Sequence, residues 1–339
     1  MRNVIVTGGL GFIGSNLVRK LSKKYFVNIV DKETYSSNII NLNGIDKKKY
    51  NINKFNINNF DKFFKLLQTS KPECIFNLAA ETHVDRSIDN PRSFISSNIV
   101  GTFTILEALR KFYKKNKKTK LIQISTDEVY GDIPKNKFSL ENDAFRPSSP
   151  YAASKASSDH LVNAYYRTYK LPVIISNCCN NYGPRQFLEK LIPKLIFNII
   201  NNKNLPIYGN GTNQREWIHV DDHNDALIKI FKKGKIGDTY NIGSGEVFTN
   251  LDICEMLLNI FNKKLKLHSN SKIIFVKDRP GHDKRYALNS KKLKNNLGWK
   301  KKYNISEGLT ETFKWYIENE SNFEKIKNKL KNERLGLKL

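Results

Sequence analysis

The sequence predicts an α/β protein with a parallel β-sheet covered by helices on both faces, and three observations lead to this prediction. Short runs rich in β-branched residues alternate with longer amphipathic stretches from the first residues onward. A glycine-rich turn over residues 8–14 joins the first run to the first amphipathic stretch. The alternation continues after Pro150, and strand, helix, strand in this order is typical of parallel sheets buried on both faces.

The predicted elements follow one another without an internal repeat or a low-complexity linker. Helices are expected from about Phe12 and near residues 60–68, 92–113, 151–169 and 191–201. From about Leu205 the segments are shorter and richer in turns, which predicts a smaller C-terminal lobe with loops that close over a ligand. The predicted strands are residues 3–7, 26–30, 73–78, 121–125 and 173–177.

Domain boundaries follow from this change in pattern. We assign residues 1–178 to a dinucleotide-binding domain, to which residues from about 215–245 also contribute. Residues 179–319 are assigned mainly to a substrate-binding lobe. Residues 320–339 are rich in charge and are expected to form a C-terminal tail.

Composition excludes several classes of protein. A chain of 339 residues can bury the core of one large domain or of two lobes, and no apolar run approaches the roughly 20 residues of a membrane span. The chain leads straight into its first strand, so no signal peptide is expected. Four cysteines without metal-ligand spacing predict a reducing cytoplasm, and the histidines show no ligand pattern, so no metal site is expected.

The net charge of +26 raises the possibility of a nucleic-acid partner, because Lys and Arg displace counterions from a phosphate backbone. The lysines are spread along the whole chain with asparagines beside them, which is more typical of solvated faces. We therefore predict no nucleic-acid partner. A dinucleotide-binding protein that holds RNA and lacks catalysis stays open as the alternative from a different functional class.

The segment T-G-G-L-G-F-I-G, residues 7–14, predicts a dinucleotide site. It follows a strand and opens a helix, so its glycines permit a tight turn and let phosphate approach the helix N-terminus. Asp31 follows 17 residues after Gly14 at the end of the second strand. A carboxylate there accepts hydrogen bonds from ribose hydroxyls and repels a 2′-phosphate, which favours NAD over NADP.

Tyr151 and Lys155 are the first candidates for catalysis. Their spacing of four on a predicted helix places both side chains on one face, about one turn apart. We expect the ammonium to favour tyrosinate and to lower the phenol pKa from its reference value of about 10. Such a tyrosine takes a proton from a sugar hydroxyl while hydride leaves for a nicotinamide.

Six segments together carry a resemblance to a known family. They are T-G-G-L-G-F-I-G, A-A-E-T-H-V-D-R-S from Ala79, S-T-D-E-V-Y-G from Ser125, Y-A-A-S-K from Tyr151, N-N-Y-G-P-R-Q from Asn180 and R-P-G-H-D from Arg279. The chain resembles the extended short-chain dehydrogenase/reductases, and within them the dTDP-glucose 4,6-dehydratases, from Val4 to about Glu318. The resemblance implies a Rossmann-type doubly wound parallel sheet with a smaller C-terminal α/β substrate-binding lobe.

The resemblance also implies the reaction. dTDP-glucose would become dTDP-4-keto-6-deoxyglucose plus water by oxidation, elimination and re-reduction on bound NAD, in deoxysugar synthesis of the rhamnose type. Asp127 would be the acid, Glu128 the base, and Thr126 a hydrogen-bonding partner of the reacting oxygen beside Tyr151. Two adjacent carboxyls with different roles need environments that separate their pKa values. A UDP-glucose 4,6-dehydratase stays open, and a 4-epimerase or decarboxylase is disfavoured by Asp127 beside Glu128.

The resemblance further implies the residues of the two binding sites and a homodimer formed through the helices near 92–113 and 151–169. Around the cofactor it implies Gly8, Gly11, Phe12, Ile13, Gly14, Asp31, Lys32, Thr34, Asn56, Ile57, Leu78, Ala79, Ala80, Thr82, Asn98, Tyr151, Lys155 and Asn177. Around the nucleotide-sugar it implies Ser87, Thr126, Asp127, Glu128, Asn180, Lys190, Leu191, Pro206, Tyr208, Arg215, Asn250, Arg279 and His282, with Arg185 as a weaker candidate.

Two positions depart from the family pattern. Asn56 stands where relatives carry an aspartate that contacts the adenine amino group, and the asparagine carbonyl is expected to accept the same bond. Cys179 stands where a serine is usual, and we expect this nearly isosteric change to leave the chemistry unaltered.

Overall fold

The computed structural model describes residues 2–114 and 118–321. The predicted strands are present, and β3 and the short strands of the second half were not predicted. In chain order the strands are β1 (Asn3–Thr7), β2 (Phe26–Asp31), β3 (Tyr50–Lys54), β4 (Cys74–Asn77), β5 (Lys120–Thr126), β6 (Val173–Cys178), β7 (Asn180–Tyr182), β8 (Leu205–Tyr208), β9 (Gln214–His219), β10 (Thr239–Ile242), β11 (Val247–Thr249) and β12 (Ile273–Val276).

The helices connect these strands and cover the sheet. The predicted helix near 92–113 is divided, because a π-helical stretch, Ile95–Val100, separates two α-helical parts. In chain order the α-helices are α1 (Phe12–Leu21), α2 (Phe60–Ser70), α3 (Val84–Asp89), α4 (Arg92–Phe94), α5 (Gly101–Tyr113), α6 (Pro150–Tyr169), α7 (Leu191–Ile200), α8 (Val220–Lys233), α9 (Asn250–Asn259), α10 (Lys291–Leu297) and α11 (Ile305–Glu318).

A seven-stranded parallel sheet forms the centre of the fold, in the order β10-β6-β5-β4-β1-β2-β3. From β1 the chain runs outward through β2 and β3, and then returns to the other side of β1 to form β4. The strand order therefore reverses between β1 and β4. In sheets of this kind a crevice opens at the carboxyl ends of the two strands where the order reverses, and ligands bind there.

Alternating side chains of the sheet enter two separate hydrophobic cores. Val4 and Val6 pack on one face with residues of α1 and α8, while Ile5 packs on the opposite face with residues of α2, α5 and α6. The side chains of Val4, Ile5 and Val6 are all fully buried. The strands are thus apolar on both faces, as the nearly continuous hydrophobic runs of a covered parallel sheet require.

The C-terminal half contributes a third core and two small sheets. Strands β11, β9 and β7 form one sheet, and β12 pairs with β8 in the other. Their core combines residues of α7, α9 and α11, including Leu195, Leu257 and Phe313. Within residues 215–245, β10 joins the central sheet, whereas β9 belongs to the small one. The predicted charged tail, residues 320–339, lies almost wholly outside the described residues, which end at Ser321.

No helix within the described ranges is long and apolar enough to cross a membrane.

Candidate active site

Two adjoining cavities open at the carboxyl ends of the central strands. The first has a volume of about 290 Å³ and lies over the β1–β4 crevice, and the second, of about 600 Å³, extends toward the C-terminal half. These volumes are in the range of small-molecule sites. The two cavities share the lining residues Thr82, Glu128, Asn180, Glu189 and Lys190.

The glycine-rich turn shapes the first cavity. Gly8 has a φ of 66°, a conformation that favours glycine, and a Cβ at Gly14 would lie 2.2 Å from the Gly8 carbonyl oxygen. The N-cap Gly11 offers no side-chain acceptor, so the first N–H groups of α1 face the cavity side without a side-chain cap. Close backbone approach and a helix N-terminus together fit the phosphates of a dinucleotide.

Gly14→Ala is expected to weaken dinucleotide binding by at least about tenfold, because a methyl group cannot fit 2.2 Å from a backbone oxygen. Titration of the purified variant with NAD, followed by calorimetry, measures the change. Gly11→Ala is the matched comparison, since its Cβ would lie 3.3 Å from the same Gly8 oxygen. Equal affinities of the Gly14→Ala and Gly11→Ala variants would contradict the expected packing.

Asp31 ends β2 at the edge of the first cavity, where its carboxylate orders the surrounding loop. One oxygen accepts from the Leu10 amide at 3.1 Å, and the other from the Glu33 amide and the Ser37 hydroxyl, both at 2.8 Å. An ionised carboxylate has about four acceptor positions, so it keeps capacity for a ribose hydroxyl. The Asn56 carbonyl likewise accepts from the Asn58 amide at 3.0 Å and has a second lone pair.

Tyr151 and Lys155 lie one turn apart on α6, and both line the first cavity. The Lys155 ammonium donates to the backbone oxygen of Ile124 at 2.6 Å. Burial raises the pKa of Tyr151 well above its ordinary value, the Glu128 carboxylate raises it further, and a hydrogen bond with Thr126 opposes the rise. The expectation that the pKa of Tyr151 lies below its ordinary value is therefore wrong for this arrangement, because burial has the larger effect.

The start of α6 explains why Tyr151 is held so firmly. Ser149 caps the helix by accepting a hydrogen bond from the Ala152 amide at 3.1 Å, and Pro150 occupies the first turn. A capping side chain and an N-terminal proline both favour helix initiation at this point. The Tyr151 ring then packs against Phe94 in an edge-to-face contact, with ring centroids 6.2 Å apart.

Asp127 follows β5 directly and is almost completely buried. One carboxyl oxygen accepts from the Thr126 hydroxyl at 3.2 Å, and the other is buried without a hydrogen-bond partner among the described residues. Burial raises the pKa of Asp127 well above its ordinary value, and the nearby Glu128 and Glu216 carboxylates raise it further. The neutral acid, which can donate a proton, is thus favoured.

Glu128 has a different electrostatic environment, although it is the next residue. Burial raises the pKa of Glu128, and the positive charges of Arg279, Arg215 and Lys190 oppose this rise. Cations close to a carboxylate favour its ionised form, which accepts protons. Asp127 and Glu128 therefore form a pair in which one carboxyl is surrounded mainly by negative charge and the other by positive charge.

The second cavity brings together most of the predicted nucleotide-sugar residues. They are Glu128, Asn180, Lys190, Leu191, Pro206, Tyr208, Arg215, Asn250, Arg279 and His282.

The two arginines of this cavity differ in the protein groups that hold their guanidinium groups. Arg215 donates to the backbone oxygens of Gln214 and Asp283 at 2.8 and 2.9 Å, and its guanidinium lies 4.4 Å from the Tyr286 ring centroid. Arg279 pairs with Asp85 through Nη1, while its Nε is buried with no hydrogen-bond partner in the described part of the chain. Arg215 is thus held by backbone oxygens and Arg279 by a carboxylate.

His282 is neutral in this environment. Burial lowers the pKa of His282 to about 4, and the charges of Arg279 and Arg215 lower it as well. Its Nδ1 lies 2.7 Å from an oxygen of Asp278, and its ring meets Tyr208 edge to face. The histidine therefore contributes a neutral ring and one hydrogen-bonding nitrogen to the cavity wall.

Comparisons with known proteins agree with this geometry. The family described as GDP-mannose 4,6 dehydratase matches residues 5–312. A dTDP-glucose 4,6-dehydratase of Shigella flexneri is 44% identical over 96% of this chain and 95% of its own length. The chain belongs to the family of dTDP-glucose 4,6-dehydratases.

Two solved structures of this family have the same fold. The Bacillus anthracis dTDP-glucose 4,6-dehydratase in complex with NAD is 40% identical, has a TM-score of 0.87, and is matched over 96% of this chain and 100% of its own. A Streptomyces venezuelae dTDP-glucose 4,6-dehydratase, also with NAD bound, is 37% identical with a TM-score of 0.88, over 96% and 99% of the two chains.

Most of the residues that the family resemblance implied for the cofactor line the first cavity together with the catalytic set. They are Gly8, Gly11, Phe12, Ile13, Gly14, Asp31, Lys32, Thr34, Asn56, Ile57, Leu78, Ala79, Ala80, Thr82, Thr126, Asp127, Glu128, Tyr151 and Lys155.

Four implied residues lie outside the walls of the two cavities. Asn98 is buried and donates to the Ser154 hydroxyl at 2.8 Å, and Asn177 is fully buried on β6. Ser87 donates to the Val84 carbonyl at 2.6 Å within α3. Arg185 lies against the Trp315 ring beside a separate small cavity. The side chains of Asn98, Ser87 and Arg185 are instead bonded to neighbouring groups of the protein.

Some lining residues were missed by the motif comparison, and Glu189 is the clearest case. It accepts from the Tyr35 hydroxyl at 2.9 Å and from Arg86 of α3 at 3.2 Å, so it joins two loops and a helix at the boundary of the two cavities. The sequence did offer a signal for Glu189, because it directly precedes Lys190, which the family resemblance implied for the nucleotide-sugar site. Within residues 2–114 and 118–321, no group of His, Cys, Asp and Glu side chains could hold a metal ion.

Proposed function

We propose that the chain is an NAD-dependent dTDP-glucose 4,6-dehydratase, a hydro-lyase that forms dTDP-4-keto-6-deoxyglucose and water. One observation carries the proposal: two adjacent carboxyls at the end of β5 have opposite surroundings, with Asp127 favoured as the acid and Glu128 stabilised as the base. An epimerase only oxidises and re-reduces its sugar, so it needs no such pair. Family membership and the crevice that fits a dinucleotide support the same reaction.

NAD fits the first cavity because the glycine turn leaves no room for a side chain beside the α1 N-terminus. Gly8, Gly11 and Gly14 would hold its phosphates, and Asp31 its adenosine ribose. When bound, NAD supplies a hydride acceptor for sugar carbon 4, a positive charge that favours tyrosinate, and afterwards a hydride for carbon 6.

The protein residues then divide the proton transfers. Tyr151 takes the proton of the carbon 4 hydroxyl, and Thr126 hydrogen-bonds to the same oxygen. A ketone at carbon 4 makes the hydrogen on carbon 5 acidic, and Glu128 removes it as a proton. Asp127 protonates the hydroxyl that leaves carbon 6, so that one water is released and a carbon 5–carbon 6 double bond forms.

The last step restores the starting enzyme. Bound NAD would supply the hydride for carbon 6, and Glu128, which holds the proton removed from carbon 5, would return a proton to that carbon. Tyr151 then holds one proton more than at the start and Asp127 one fewer, so release of a proton by Tyr151 and uptake of a proton by Asp127 restore both groups. The buried position of Asp127 and the raised pKa of its carboxyl keep this acid protonated between turnovers.

The nucleotide-sugar is proposed to lie in the second cavity. Arg279, Arg215 and Lys190 supply positive charge for the diphosphate, and Asn180 and Asn250 supply amide donors. Tyr208 and His282 are proposed near the base, where their edge-to-face rings form one wall.

Mass spectrometry tests the proposal. The purified protein is incubated separately with dTDP-glucose and UDP-glucose without added NAD, and again with NAD. Loss of one water from dTDP-glucose is the expected result, with the uridine compound reacting more slowly. Faster loss from UDP-glucose would change the proposed nucleotide. No loss from either compound in the presence of NAD would contradict the proposed reaction.

We also propose that the enzyme acts as a homodimer through helices α5 and α6. Ile95, Val100, Phe103 and Tyr169 lie on or beside these helices and are 52%, 43%, 45% and 46% exposed. Apolar side chains clustered on neighbouring helices are typical of a contact surface with another protein. We further propose a boundary between two lobes at about residue 178, a role in a deoxysugar pathway and a cytoplasmic location. The four buried free cysteines are consistent with a reducing compartment.

Phe103→Glu is expected to convert the dimer to a monomer, since a charge on each copy would face the apolar side chains of the other. Light scattering after size-exclusion chromatography measures the mass. Phe275→Glu is the control, because Phe275 is 59% exposed on β12, far along the chain from α5 and α6. A wild-type protein that is already monomeric at micromolar concentration would contradict the dimer.

A further inference from the structure

Asp85 holds two side chains of the second cavity with its two carboxylate oxygens. Oδ1 accepts from Arg279 Nη1 at 2.8 Å, and Oδ2 accepts from the Tyr208 hydroxyl at 3.0 Å. The carboxylate side chain is only 5% exposed. The Arg279 charge lowers the pKa of Asp85 below its ordinary value although burial opposes this, so the group is ionised. It therefore forms a buried ion pair with a charge-assisted hydrogen bond on its other oxygen.

The three residues come from parts of the chain that are distant in sequence. Asp85 is in the first turn of α3, directly after the central-sheet strand β4, whereas Tyr208 ends β8 and Arg279 follows β12. Strands β8 and β12 pair only with each other in a small sheet. One carboxylate of the central-sheet region thus fixes the position of two side chains of the C-terminal region.

The ion pair with Asp85 engages one nitrogen of the Arg279 guanidinium, Nη1, at 2.8 Å. Arg279 lines the same cavity as Glu128, and its positive charge is the strongest of those that lower the pKa of Glu128. The position of one guanidinium therefore affects both the anion site and the carboxylate at the end of β5.

We propose that Asp85 is a positioning residue that holds Arg279 and Tyr208 ready for the nucleoside diphosphate and keeps the guanidinium beside Glu128. The inference rests on the proposed function, since it assigns a supporting residue to that site. Without the carboxylate, the flexible arginine would lose its anchor and the ordering of its side chain would have to occur during binding. Preorganisation of this kind increases affinity because the entropy loss precedes binding.

The direction in which the pKa of Glu128 shifts in a variant of Asp85 reports whether Arg279 has stayed in place or moved away. Arg279, Arg215 and Lys190 lower the pKa of Glu128, and Asp283 raises it. The neighbouring titratable groups Asp127, Tyr151 and Tyr286 also face this region. If Arg279 stayed in place without Asp85, its uncompensated charge would lower the pKa of Glu128 further. If Arg279 moved away, that pKa would rise.

Asp85→Asn, with Asp85→Ala as a second variant, tests the inference in two measurements on the full chain loaded with NAD. Calorimetry with dTDP is expected to show a dissociation constant raised by about tenfold or more, as for loss of a hydrogen bond to a charged group. The pH profile of water loss is expected to move its acidic limb to higher pH, because Glu128 loses a stabilising cation.

Asp225→Asn is the matched control. Its carboxylate also bridges two partners, Lys20 and Lys302, both at 2.7 Å, and it lies outside both cavities. Affinity and pH profile should be unchanged in this variant. If Asp85 variants unfold, Tyr208→Phe still breaks one of the two bonds and is expected to weaken dTDP binding without moving the acidic limb.

A dTDP affinity within twofold of wild type, or an acidic limb that moves to lower pH, would overturn the role of Asp85. The same two measurements on the wild-type protein show whether the proposed function itself has failed. In that case the wild type would neither bind dTDP nor release water from dTDP-glucose.

Discussion

Asp127→Asn is expected to slow water loss by about 10²–10⁴-fold, the usual effect of removing a general acid. The amide has nearly the shape of the carboxyl and keeps an oxygen for the Thr126 hydroxyl, but it has no acidic proton for the leaving hydroxyl. Oxidation at carbon 4 does not depend on this proton. Mass spectrometry of single-turnover samples should therefore show a nucleotide-sugar that has lost two hydrogens and kept its water.

The pH dependence of the rate of water loss distinguishes the roles of the two carboxyls, Asp127 and Glu128. In wild type, the rate should fall at high pH as Asp127 loses its proton, and at low pH as Glu128 gains one. Burial raises the pKa of both groups, so the whole profile is shifted upward from the range of ordinary carboxyls. Asp127→Asn should lose the basic limb and Glu128→Gln the acidic limb.

Asp46→Asn provides the control for these variants, because Asp46 is an exposed capping residue and lines neither cavity. Normal dehydrated product at the wild-type rate in both Asp127→Asn and Glu128→Gln would refute the assignment of acid and base.

Tyr151→Phe is expected to reduce turnover by a similar factor of about 10²–10⁴, but at an earlier step. Phenylalanine retains the edge-to-face contact with Phe94 and removes only the phenol group that accepts the proton of the carbon 4 hydroxyl. Neither the oxidised nor the dehydrated sugar should accumulate, in contrast to Asp127→Asn. Rapid-quench mass spectrometry on the two variants distinguishes these patterns.

Tyr130→Phe is the matched control for Tyr151→Phe. Tyr130 is also buried, and its hydroxyl donates to Asn241 at 3.0 Å away from both cavities. This variant should turn over normally. Accumulation of oxidised sugar by Tyr151→Phe would show that another group accepts the first proton.

Local sequence patterns were sufficient to predict five of the seven strands of the central sheet, β1, β2, β4, β5 and β6. Residues such as Val4, Ile5 and Val6 form short apolar runs, and a strand buried on both faces requires them. Strand β3 was missed because Tyr50–Lys54, at the edge of the sheet, reads Y-N-I-N-K and has few apolar residues. Edge strands bury less surface and so carry a weaker hydrophobic signal.

The electrostatics of the site could not be predicted in the same way. A spacing of four correctly placed Tyr151 and Lys155 on one helix, but it could not show that the ammonium donates to the Ile124 carbonyl. That bond depends on how α6 packs against β5. Similarly, Asp85 was part of a quoted motif, yet its role depends on Tyr208 and Arg279, which are more than a hundred residues away in sequence.

The most direct test of the central claim is to follow the hydrogen on sugar carbon 4. dTDP-glucose carrying deuterium at carbon 4 is incubated with the purified enzyme, and the product is analysed by proton NMR and mass spectrometry. A dehydratase that oxidises and re-reduces one sugar on one retained cofactor should deliver deuterium to carbon 6 of dTDP-4-keto-6-deoxyglucose. A product without deuterium at carbon 6, or a labelled sugar that keeps its water, would contradict this account.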